Sequence, residues 1–126
     1  MAGALATDAG LGILTNRIIG SGTEPKYVGW GTGTTDPVAG NTGLETPRGE
    51  SRTSGTSSRV QTTVANDTYQ VVGEITCAST AAAITEVGLF DASANGNLFM
   101  RATFAVINVG VGDKIEFTIK TVFDQA

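Results

Sequence analysis

Between Ala83 and Phe104 the chain alternates, turns and alternates again, and this stretch restricts the fold more than any other. Successive side chains of a strand point to opposite faces. In the first arm Thr85, Val87 and Leu89 therefore share one face, and Ile84, Glu86, Gly88 and Phe90 share the other. In the second arm Leu98, Met100, Ala102, Phe104 and Val106 form an unbroken apolar row against Phe99, Arg101, Thr103 and Ala105. That period of two is the mark of a strand with one buried face. Asp91 to Asn97 lie between the arms and are turn residues, which tolerate positive φ or bond their own backbone. The stretch predicts a β-hairpin with Leu98, Met100 and Phe104 in the core. If Asp91 and Gly96 face each other, Glu86 stands directly across from Arg101 on the polar face. A cross-strand ion pair follows, about 0.2–1 kcal/mol if exposed, that fixes register or an intersubunit contact.

Other segments repeat the pattern. Thr68 to Cys77 places Tyr69, Val71, Gly73, Ile75 and Cys77 on one side, and Lys114 to Phe123 sets Ile115, Phe117, Ile119, Thr121 and Phe123 against a charged row. Lys26 to Trp30 and Arg59 to Ala65 read as shorter strands, with Trp30 as a core anchor. Turns fall at Asn66-Asp67 and from Asn108 to Asp113. A chain of 126 residues makes about one domain. Several strands joined by such turns predict an all-β fold, an antiparallel two-sheet sandwich spanning residues 26–126. Residues 1–25 read as an N-terminal arm or a short helix. In the helical reading Asp8 is the cap, Leu11, Leu14 and Ile18 form the apolar row, and Gly20 lies past the end. Gly10 and Gly12 weaken that helix by about 1 kcal/mol each.

From Gly31 to Ser58 runs a polar segment rich in Gly, Thr and Ser, longer than the usual connection in a compact domain. Its apolar residues include Val38 and Leu44, and Arg48, Arg52 and Arg59 fall toward its C-terminal end. Two readings stand: a solvated loop, or an arm that orders against a partner, its guanidinium groups meeting carboxylates or carbonyls.

The chemistry of catalysis finds little here. There is no His, so the commonest general base and metal ligand is missing. The single cysteine, Cys77, lies in an apolar row and reads as a small buried hydrophobe. Gly31-Thr32-Gly33 is not followed by the Gly-Lys-Ser/Thr of a phosphate loop. No catalytic, cofactor-binding or metal-binding residue is assigned. A net charge of −4 suits neither nucleic acid nor an anionic membrane, and no apolar run is long enough to span one.

Tyr27-Val28-Gly29-Trp30-Gly31-Thr32-Gly33, Asn66-Asp67-Thr68-Tyr69, the segment Ile84 to Asp91, Asn97 to Phe104 and Gly112-Asp113 resemble small structural proteins of tailed bacteriophages. The similarity is greatest to capsid cement, or decoration, proteins and runs from about Tyr27 to the C-terminus. Similar wording to Ile84–Asp91 occurs in tail-fibre and tail-collar proteins. The resemblance implies a jelly-roll type of sandwich and no cofactor. It implies a protein made in the host bacterial cytoplasm that sits on the outer surface of the virion shell as a dimer or trimer and bridges major capsid proteins. Val38, Leu44, Arg48, Arg52 and Arg59 are the expected partner contacts. Removal of residues 35–57 is expected to leave a folded domain that no longer decorates shells. A tail-fibre or baseplate domain is the alternative, and a carbohydrate-binding sandwich a remoter one.

Overall fold

The alternating rows become strands in two antiparallel sheets. A computed structural model describes residues 3–125; residues 1, 2 and 126 of the N- and C-terminal segments lie outside the described part. In chain order the elements are β1 (Gly3–Ala6), α1 (Asp8–Ile18), β2 (Tyr27–Gly31), β3 (Thr53–Ser54), β4 (Thr56–Val60), β5 (Thr68–Thr76), β6 (Ala82–Phe90), β7 (Leu98–Val109) and β8 (Lys114–Val122). One sheet has the order β1-β7-β6-β2-β3 and the other β4-β5-β8. The chain changes sheets at Gly55, between β3 and β4. A Cβ there would lie 2.5 Å from a methyl of Val71, so only glycine fits the corner.

The core lies between the sheets. Val28, Trp30, Val87, Leu89 and Met100 from the larger sheet meet Val71, Ile75, Phe117 and Ile119 from the smaller one. Phe104 of β7 and Phe117 of β8 pack as tilted rings with centroids 6.0 Å apart, spanning the two layers. Cys77 is buried, its thiol directed at the Thr80 carbonyl at 3.1 Å. The hairpin β6–β7 forms where the alternation predicts, but the register shift between Leu89 and Phe90 turns Leu98 to the outer face beside Gly88 and Leu44. The same shift puts Phe99, read as part of the opposite row, in the core with Met100. The hairpin turn is closed by Asp91, whose Oδ1 accepts from the Asn97 N–H at 2.7 Å, with Asn95 and Gly96 at positive φ.

Three further expectations change. The strand predicted over Arg59–Ala65 begins earlier, at Thr56. Residues 62–64 instead form a turn in which their N–H groups donate to the Asp67 carboxylate at 2.8–3.0 Å. The N-terminal segment contributes a strand, β1, paired to β7 from Gly3↔Thr103 to Ala6↔Met100, before its helix. The helix itself is capped by Thr7 rather than Asp8, the Thr7 hydroxyl oxygen accepting from the Gly10 N–H at 3.0 Å. Its buried face is Gly10 and Ile13, while Leu11 and Ile18 are 59% and 75% exposed. The reason is steric: Gly10 lies against the Phe99 carbonyl of β7, a contact only a residue without a Cβ can make. Among the described residues no helix is long and apolar enough to cross a membrane.

Candidate functional site

The outer face of the larger sheet is built for a second layer of backbone. Gly29, Gly31 and Gly33 recur at every second position, while Val28 and Trp30, on the alternate positions of β2, point into the core. A Cβ at Gly31 or Gly33 would stand 2.6 or 2.5 Å from Glu86 Oε2. Without those carbons, the segment of residues 32–52 lies directly on β2, β6 and β7.

Glu86 holds it there. Its Oε2 accepts from the N–H groups of Gly33 (2.9 Å) and Thr46 (2.8 Å), and its Oε1 accepts from the N–H of Glu45 (3.0 Å) and from Arg101 Nε (2.8 Å). One carboxylate therefore ties both ends of the loop's outward excursion to the sheet. Arg101 also approaches Glu45 at 3.8 Å and Asn41 Oδ1 at 3.4 Å. The Thr85 hydroxyl donates to the Gly33 carbonyl at 2.7 Å. Burial pushes the Glu86 carboxyl up, but the three N–H groups and the Arg101 guanidinium outweigh it and hold it below the usual range.

The expected Glu86–Arg101 pair thus forms in a different geometry and place. Arg101 stands opposite Gly88 and Glu86 opposite Thr103, so the charges meet diagonally and not directly across. A register shift between Leu89 and Phe90 separates the ladder from the spacing that the turn residues suggest. The face is not a solvated one: Glu86 is 0% and Arg101 1% exposed, because the loop covers them. The pair joins loop to sheet within one chain, and so is not an intersubunit contact.

Two further arginines clamp the rest of the loop. Arg52 Nη1 donates to the carbonyls of Ala92 (2.9 Å) and Asn95 (2.7 Å) in the hairpin turn, and its guanidinium lies 3.4 Å above the centre of the Phe90 ring. Arg48 Nη2 donates to the Thr80 carbonyl at 2.7 Å and to Glu50 at 3.3 Å. Glu50 accepts in turn from Trp30 Nε1 (3.0 Å) and the Ala78 N–H (3.1 Å). Burial raises the Glu50 carboxyl, yet these donors hold it down at about 2.

Between loop residues 42–52 and turn residues 93–96 the surface opens into a cleft of about 420 Å³. Leu44, Arg48 and Arg52, expected from the sequence to meet a partner, all line it. Val38 and Arg59 do not join them: Val38 is exposed elsewhere on the loop and Arg59 is exposed on β4 in the other sheet. The loop is neither loose nor a free arm. Its arginines meet a carboxylate and carbonyls, as read from their chemistry, but those of their own chain. Glu50, Phe90 and the turn at Ser93–Gly96 complete the cleft and were not legible as site residues. The period-two glycines were the available signal, since a row of missing side chains marks close backbone approach. Compared with protein-family models, with curated proteins and with solved structures, the chain matches none.

Proposed function

We propose that this chain is a non-enzymatic virion structural protein of a tailed bacteriophage that binds the outer surface of the shell and bridges major capsid subunits. The observation that carries the reading is the loop of residues 32–52, held by Glu86, Arg48 and Arg52 in one arrangement, with Leu44 and both arginines lining an open cleft. A surface ordered in advance loses little conformational entropy on docking. The segments resembling cement proteins, Tyr27–Gly33 and Ile84–Asp91, are the ones that build the seat of this loop. Exposed apolar residues on α1 (Leu11, Ile18) and at the end of β7 (Val106, Ile107) supply surface for a dimer or trimer. A copy that touches two capsomers gains through effective concentration, so weak single contacts suffice to clamp a lattice. The wording shared with tail-fibre proteins at Ile84–Asp91 supports the second reading, a tail-fibre or baseplate part.

The test is copy number and place in purified virions, read by electron microscopy and quantitative mass spectrometry. Hundreds of copies on the shell support cement. A handful at the tail selects the second reading, and absence from virions rejects both.

A further inference from the structure

We propose that the cleft between loop residues 42–52 and the hairpin turn is a binding site for a carboxylate of an acidic protein segment. The capsid-binding reading supplies only the partner's identity; the site itself rests on a surplus of hydrogen-bond donors.

The acceptors near the cleft are committed. Glu50 Oε1 takes Trp30 Nε1, and Oε2 takes the Ala78 N–H and Arg48 Nη2. Asp91 gives Oδ1 to the Asn97 N–H and Oδ2 to Asn97 Nδ2. The donors are not matched. Arg48 Nε has no acceptor among the described residues but is closed to solvent, so Arg48 adds its charge to the cleft wall and the open donor edge belongs to Arg52. Arg52 meets both turn carbonyls through Nη1, so the Nε and Nη2 edge of its fork is not committed to them. Phe90 beneath the guanidinium and Gly29 beside its stem fix that fork in place.

A carboxylate is an acceptor only, and its two oxygens match a guanidinium edge. The cleft is larger than one carboxylate needs. Residues 42–44 and 93–96 also line it, which leaves room for the chain on either side of an Asp or Glu. A preset guanidinium fork favours such a planar ligand over a lone halide or a neutral polar group.

The experiment is a titration of the full-length, ¹⁵N-labelled chain with tetraglutamate and, separately, with tetraglutamine, following the arginine Nε–H resonances. Tetraglutamate is expected to shift Arg48 and Arg52 saturably, with an affinity that falls as salt is raised, while tetraglutamine shifts neither. Ser51→Glu puts an acidic side chain on the exposed cleft lining between Glu50 and Arg52 and is expected to weaken tetraglutamate binding about tenfold while the dispersed amide spectrum of the folded chain is kept. No shift at Arg48 and Arg52, or equal shifts with both peptides, overturns the proposal. Peptide binding by a protein that leaves purified shells bare keeps the cleft and rejects the capsid reading. Decoration of shells by a protein whose arginines ignore the peptide does the reverse.

Discussion

At the scale of single residues, Glu86 has the largest consequences. Removing one member of a buried, hydrogen-bonded ion pair leaves the other uncompensated and commonly costs about 3–5 kcal/mol. Glu86→Ala also strands three loop N–H groups. Its unfolding free energy from urea denaturation is expected to fall by about that amount, with a further sign that the loop has detached: faster amide exchange at Gly33, Glu45 and Thr46. A mutant that loses stability while those amides stay protected would show that the carboxylate does not hold the loop. The two helix glycines, equal in the sequence, separate in the structure. Gly12 has open space around it, so Gly12→Ala is expected to stabilise by about 0.5–1 kcal/mol through helix propensity. Gly10→Ala drives a methyl into the Phe99 carbonyl and is expected to lower the thermal midpoint instead. The alternation named Glu86 and Arg101 as partners but assigned them to solvent, because one strand's pattern says nothing about what lies above its polar face.

At the scale of elements, the loop of residues 32–52 behaves as a third layer over the larger sheet. The expectation that residues 35–57 can be removed from a folded domain does not survive this arrangement. The deletion takes away Glu45 and Thr46, the cover over the Glu86–Arg101 pair, and β3 with the start of β4. The truncated chain is expected to lack the dispersed amide spectrum of a folded protein, and a well-dispersed spectrum would restore the separable-arm reading. The strands were legible because each carries its own period: β5, β6 and β8 fall within one residue of their predicted spans, while β7 runs five residues past Phe104, into the turn predicted from Asn108. β1 was not, since Gly3–Ala6 has no alternation of polar and apolar residues and gains its place only by pairing with β7.

At the scale of the whole molecule, acid is the natural probe. Glu50 sits at about 2, well below its ordinary 4.5, and Glu86 is also lowered. Asp67 is held low by the N–H groups of Val64, Thr62 and Thr63. Groups depressed on folding contribute stability that is full above their unfolded values and is lost as pH falls through their folded ones. The thermal midpoint is therefore expected to hold from pH 7 to about 5 and then drop steeply toward pH 2. Glu50→Gln is expected to start lower at pH 7 and fall less over the acid range; a variant with the wild-type acid slope would remove Glu50 from this account. The sequence by itself determined the class of fold, the hairpin, the turns and most of the core rows, though not the bulge that swaps Leu98 for Phe99 in the core, because strand periodicity, turn chemistry and glycine placement are local and act through near neighbours along the chain. Only the tertiary structure decided that a polar, glycine-rich loop becomes a layer, that a surface ion pair becomes its buried fastener, and that Leu44, Arg48 and Arg52 meet in one cleft. Those outcomes rest on contacts between residues 40 to 60 positions apart, and a buried carboxylate satisfied by distant backbone N–H groups leaves no periodic trace in the sequence.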